Sequence, residues 1–195
     1  MLGLLQIYDA DDEATRDTAG DRGGVSHSVA VTGGREGFAN AVNRLAVSGR
    51  IFDRVVVESH GGPGQIYFGG QFIDAAFLRV LFTGNYLRLF PMYTRMYFNG
   101  CYVAQDGTGW DFLESAGAIF LKAGGSVFAH TSAGYAFPGW VPMAGSHTVH
   151  FSGSTRFVEV GFGGVILGRD TSEAQARRTV VELQRAGLMQ YRPRR

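Results

Sequence analysis

The chain predicts an α/β protein built on a mostly parallel sheet, and three observations lead there. Apolar runs of strand length alternate with stretches of helical periodicity along most of the 195 residues. The 29 glycines do not repeat at a fixed interval but gather at the joints between those stretches. The tail then changes character, with two strand-like runs that suit an antiparallel hairpin at one edge. Alternation of this kind implies parallel strands joined by right-handed crossovers.

Residues 2–8 form the first apolar run, which ends in Asp9-Ala-Asp11-Asp12-Glu13 and a polar loop reaching Gly24. Residues 25–32 alternate well enough for a second strand. Residues 35–49 predict a helix: Phe38, Val42, Leu45 and Ala46 share one face, and Gly49 stands where a stop belongs. Residues 52–59 contain Val55-Val56-Val57, the continuous apolar run of a strand buried on both faces. A Gly-Pro loop and a short strand at 65–68 follow. Ile73, Ala76, Phe77, Val80 and Leu81 then predict a helix over 73–82.

Residues 94–98 are the next strand, and 110–123 the next helix, with Leu113, Ala116, Ile119 and Phe120 on one side. Residues 126–130 predict a strand opening into a polar loop at 131–135. In the tail, 147–151 and 157–166 form the expected hairpin. Asp170-Thr-Ser-Glu173 resembles a capping box and opens a final helix to about residue 187. A single domain accommodates all of this: residues 1–135 as the core, and 136–195 as the edge hairpin and terminal helix.

Bulk composition excludes several function classes. Apolar residues make up 45% of the chain, enough for a real core, and the formal net charge is only +1. No global electrostatic drive toward nucleic acid is present. The most apolar stretch, 117–137, is interrupted by Lys122, His130 and several glycines, so no membrane span is expected. Met1-Leu-Gly-Leu-Leu-Gln-Ile has no charged n-region, so the reading is a soluble protein of cytoplasmic synthesis, with signal-peptide-independent export left open. A single cysteine, Cys101, permits no internal disulfide. His147 and His150 have odd spacing on one strand, and no histidine set matches a zinc site; no metal and no cofactor is implied.

Two turns carry the chemistry. The strand at 54–59 closes on His60-Gly61-Gly62, and the strand at 94–98 closes on Asn99-Gly100-Cys101. In an open α/β sheet, reacting groups collect beyond the carboxyl ends of the strands. A histidine and a cysteine released there from neighbouring strands can form a nucleophile–base pair; a buried, inert cysteine and a turn histidine bonded to backbone are the alternative.

This order, Ser59-His60-Gly61, a helix, then Gly100-Cys101, resembles the caspase-like cysteine peptidases of clan CD. The segment from Asn99 through Gly100-Cys-Tyr-Val-Ala-Gln-Asp-Gly-Thr-Gly-Trp-Asp-Phe-Leu113 is similar to bacterial caspase-like domains of large surface proteins and to CHAT-type peptidases. The strand Gly124-Gly-Ser-Val-Phe-Ala-His-Thr-Ser132 is similar to the one that lines the specificity pocket in that clan. The likeness runs from Leu2 to Tyr135 in order of elements and implies a three-layer αβα sandwich. No counterpart of the cleavable caspase linker follows the cysteine.

The resemblance implies Cys101 as nucleophile and His60 as base and acid, with the backbone N–H groups of Gly61 and Cys101 as an oxyanion hole. Ser59 and Asn99 flank the pair and are candidates for orienting it. Asp9, Asp11 and Asp12 stand where the clan places pocket residues, and acids there favour a basic side chain; a solvated acidic loop is the alternative. Thr131 and Ser132 are further pocket candidates. The expected activity is cysteine peptidase or amide hydrolase on a peptide or protein substrate. A bacterial effector or toxin with an inhibitory or immunity partner fits that activity. Two alternatives stay open: an inactive caspase-like binding or scaffold module, and the same dyad acting on a peptidoglycan amide.

Overall fold

The computed structural model describes residues 3–19, 25–141, 146–150 and 155–170. In chain order these form β1 (Gly3–Asp9), α1 (Glu13–Ala19), β2 (His27–Val31), α2 (Gly34–Val47), β3 (Phe52–Glu58), β4 (Gly61–Gly62), β5 (Gln65–Phe68) and β6 (Gln71–Asp74). There follow α3 (Ala75–Leu81), β7 (Thr94–Phe98), α4 (Asp106–Phe120), β8 (Gly125–His130), β9 (Gly134–Val141), β10 (Ser146–His150), β11 (Thr155–Val160) and β12 (Ile166–Asp170).

A seven-stranded mixed sheet lies at the centre, in the order β12-β11-β8-β7-β3-β1-β2. Strands β2, β1, β3, β7 and β8 run parallel. Strands β11 and β12 extend the β8 edge antiparallel. Right-handed crossovers place α2, α3 and α4 on one face, because the chain moves in one direction from β2 through β3 and β7 to β8. The step from β1 to β2 moves the opposite way and carries α1 to the other face.

The two-residue period of strands builds the core under α2–α4. Leu5, Val55, Met96, Val127 and Val158 form one row across five strands, and Ile7, Val57, Phe98 and Ala129 form the next. Phe38 stacks on Phe68, and Phe82 and Phe120 meet edge to face, sealing the helix layer. Each of the larger side chains among these contributes about 1.5–3 kcal/mol by leaving water. Val55, Val56 and Val57 are all buried, as a strand covered on both sides requires. The second face is more polar: Arg95, Tyr97, Ser126, Phe128, Phe157 and Glu159 lie there. Burial raises the Glu159 carboxyl to about 7, while the Ser126 hydroxyl donating to it and the nearby Arg95 work against that rise.

Several expectations need correction. The stretch after Asp12, expected as loop, holds the short helix α1. The helix expected over 73–82 begins at Ala75, because 71–74 pair with β5 as a strand and Asp74 then caps the helix by accepting from Phe77 N at 2.9 Å. The helix expected from 110 begins at Asp106, since its first turn, Asp-Gly-Thr-Gly, has no apolar period to show it. The edge hairpin is β11 with β12, whereas β10 pairs with β9 in a separate two-stranded sheet. The final helix expected from 170 falls outside the described residues beyond β12.

Candidate active site

Three neighbouring strands, β1, β3 and β7, are parallel, so their carboxyl ends open along one edge of the sheet. From those ends come the Asp9–Asp12 loop, the His60 turn and the Cys101 turn, with His60 in the middle. The strand register pairs Tyr8 with Glu58 and Val57 with Phe98, so each turn starts within about one residue of its neighbour.

The His60 and Cys101 turns touch through their glycines. A Cβ on Gly61 would lie 2.7 Å from the Cys101 carbonyl oxygen and 2.9 Å from the Gly100 carbonyl carbon. One on Gly100 would lie 2.9 Å from Gly61 Cα and 3.1 Å from Gly61 N. Neither position has room for a side chain. Gly61 faces Ile66 across the β4–β5 hairpin, and Tyr67 N donates to the His60 carbonyl at 2.9 Å. That bond makes Gly61 a non-hydrogen-bonded position of the ladder, so its N–H points away from β5.

Cys101 is half-buried and is in no disulfide. It enters a turn pinned to its surroundings. Tyr102 N donates to Ser132 O at 3.1 Å, Ala104 N to His130 O at 2.9 Å, and Gly64 N to Val103 O at 3.0 Å. Tyr102 adopts a left-handed backbone, φ 61°, a conformation that tyrosine takes only under constraint. The strand-to-helix passage therefore bends sharply just after the sulfur.

His60 is held from its main chain and from its ring. Ser59 Oγ donates to the His60 carbonyl at 2.9 Å, which gives Ser59 a hand in orienting that peptide. The ring nitrogen Nε2 lies 3.2 Å from Asp12 Oδ1. Asp12 also caps α1, its Oδ2 accepting from Thr15 N at 2.6 Å. Burial tends to raise the Asp12 carboxyl, but the Thr15 hydrogen bonds and the facing His60 outweigh it and hold the group below its ordinary range.

An open groove of about 470 Å³ adjoins His60, lined by Asp9, Asp11, Asp12, Tyr67, Gly69 and Gly70. The three acids thus share one surface with the histidine. Asp9 is only 2% exposed; Asp11 N and Gly69 N donate to it at 3.1 and 2.9 Å, yet burial raises its carboxyl above the usual value. Asp11 is exposed and accepts from Gly33 N at 2.8 Å, at the start of α2. Thr131 and Ser132 lie on the other side, at the end of β8 beside the Cys101 turn, with Ser132 buried. Asn99, at the start of the Cys101 turn, is buried, and its Nδ2 has no hydrogen-bond partner.

Sequence reasoning missed Tyr67, Gly69 and Gly70 as groove walls. Their signal was the Gly-Gly pair between two short strands: both glycines have positive φ, 54° and 73°, as a tight hairpin turn requires. It also missed the His60–Asp12 contact, which no local pattern encodes.

Compared with family models, with curated proteins and with solved structures, the chain has no match. Among the described residues, no group of three His, Cys, Asp or Glu is placed to hold a metal ion, and no helix is long and apolar enough to cross a membrane.

Proposed function

We propose that this chain is a caspase-like cysteine hydrolase that cleaves amide bonds of peptide or protein substrates through a Cys101–His60 dyad. One observation carries the reading: two glycine-lined turns meet at adjacent strand ends, one bearing the only cysteine, the other a histidine. Close main-chain approach is what an acyl substrate needs, since its carbonyl oxygen must reach backbone N–H groups.

In the reaction, His60 takes the proton of the Cys101 thiol, and Sγ attacks the carbonyl carbon. The tetrahedral oxyanion is held by the N–H groups of Gly61 and Cys101. The C–N bond breaks as the imidazolium donates its proton to the leaving amine. Water then attacks the thioester, His60 accepting its proton, and the carboxylate product leaves with the thiol restored. Losing one oxyanion donor costs about 3 kcal/mol in the transition state. The acidic groove beside His60 favours a substrate with a basic side chain next to the scissile bond.

The test is the rate of Cys101 alkylation by iodoacetamide against pH, in the native chain and in His60→Ala. Rapid labelling at pH 6 that slows at least tenfold in the variant is the expected result. Labelling that rises only near pH ~8.5, as for an ordinary thiol, would sink the proposal and leave a binding or scaffold role.

A further inference from the structure

We infer that Asp12 is the positioning residue of His60, so that Asp12, His60 and Cys101 act as an acid–base–nucleophile row; this rests on the dyad proposed above. Adjacent parallel strands β1, β3 and β7 deliver the three in that spatial order. A ring that donates Nε2–H to Asp12 Oδ1, 3.2 Å away, keeps the lone pair on Nδ1, on the side of the ring turned from the acid.

The two partners differ in mobility. The His60 side chain is 63% exposed and that of Asp12 25%. An exposed imidazole has many rotamers open to it, and a base must wait at the nucleophile in one of them. Asp12 supplies the restraint because it is itself restrained: Oδ2 is tied to Thr15 N at the start of α1, which leaves Oδ1 aimed at the ring. Neither neighbouring acid duplicates this role. Asp9 accepts from the N–H groups of Gly69 and Asp11, and Asp11 from those of Gly33 and Gly34. Asp12 forms and breaks no bond in the reaction. The proton travels from Cys101 to His60 and on to the leaving amine, while the carboxylate stays ionised.

The ionisable groups that share the groove with His60 are Asp9, Asp11 and Asp12 from the β1 loop and Tyr67 from β5. The experiment compares iodoacetamide labelling of the native chain, Asp12→Ser, Asp12→Asn and His60→Ala at pH 6.5 and pH 9.5, with thermal midpoints alongside. Serine and asparagine both retain a cap for α1, but neither carries the charge. The expected result is a loss of about tenfold at pH 6.5 in both Asp12 variants, with rates at pH 9.5 and midpoints close to native. At the higher pH the thiolate exists without help, so a merely structural role cannot produce this split. Native rates at both pH values in the Asp12 variants, with His60→Ala still slow, overturn the inference and leave the dyad standing. Equal losses at both pH values with a lowered midpoint also overturn it. A His60→Ala chain that labels like the native one removes the dyad itself, and the positioning role with it.

Discussion

On the β1 side of His60 the surface is open and charged, whereas on the β7 side it is closed and built from bare main chain. Three carboxylates line the first flank, and their oxygens hold loop and helix N–H groups. On the second, Gly61 lies against Gly100 and the Cys101 carbonyl with no space for a methyl group. The two flanks therefore obey different physics. Contacts on the closed flank are steric, fixed by strand spacing and indifferent to salt or pH. Contacts on the open flank are electrostatic, screened by salt and adjustable one charge at a time.

The largest effect belongs to the closed flank. In Gly61→Ala the new methyl falls 2.6 Å from Val103 Cγ2 and 2.7 Å from the Cys101 carbonyl oxygen. Overpacking of this kind costs about 1–3 kcal/mol, which lowers the thermal midpoint by about 2–4 °C for each kcal/mol in a chain of this size. Turnover of any accepted peptide should fall about a hundredfold as the donor at Gly61 shifts. A Gly61→Ala chain with native midpoint and native turnover would break the contrast between the flanks, because the glycine contact would then be dispensable.

Closed regions are not all uncharged, and Glu159 sharpens the comparison. It sits on the second face of the sheet, 1% exposed, with its carboxyl raised to about 7. A raised acid binds a proton more tightly folded than unfolded, so its stabilising contribution is full below the ordinary value of about 4.5 and declines as pH rises through about 7. Denaturant unfolding should thus show a loss of about 3 kcal/mol from this one group between pH 4.5 and pH 8. Glu159→Gln should be free of that decline. If native and variant share the same pH profile, the Glu159 carboxyl binds its proton no more tightly folded than unfolded, and the assignment fails.

How much of this was legible beforehand follows from how local each signal is. Val55-Val56-Val57 and the Phe38 to Leu45 stripe are written in a few consecutive residues, so β3 and α2 emerge directly. The His60 and Cys101 turns could be placed at neighbouring strand ends because parallel alternation orders the sheet. Helix α1 was missed because Glu13-Ala-Thr-Arg-Asp-Thr-Ala19 is short and polar, with only the Asp12 cap to mark it. The tail misled for the opposite reason: strand-like runs at 147–151 and 157–166 carry no record of which partner each will choose, and β10 chose β9. Asp9, Asp11 and Asp12 looked equivalent in sequence. Only the fold separates a buried acid, a helix anchor and a partner of His60.

The smallest effect tests the open flank as a substrate surface. Asp11 is the most exposed of the three acids, and Asp11→Asn keeps the acceptor for Gly33 N while removing the charge. For paired peptides with arginine or leucine before the scissile bond, kcat/KM of the native chain should favour arginine. Because the site is exposed, the charge contributes only about 0.2–1 kcal/mol, so the variant's preference should drop about threefold at low salt. The same drop should shrink as ionic strength rises and the Debye length falls to about 8 Å at 0.15 M. A preference unmoved by both the substitution and salt would mean that substrate passes on the Thr131–Ser132 side of the Cys101 turn. The acids would then serve the fold and His60 alone.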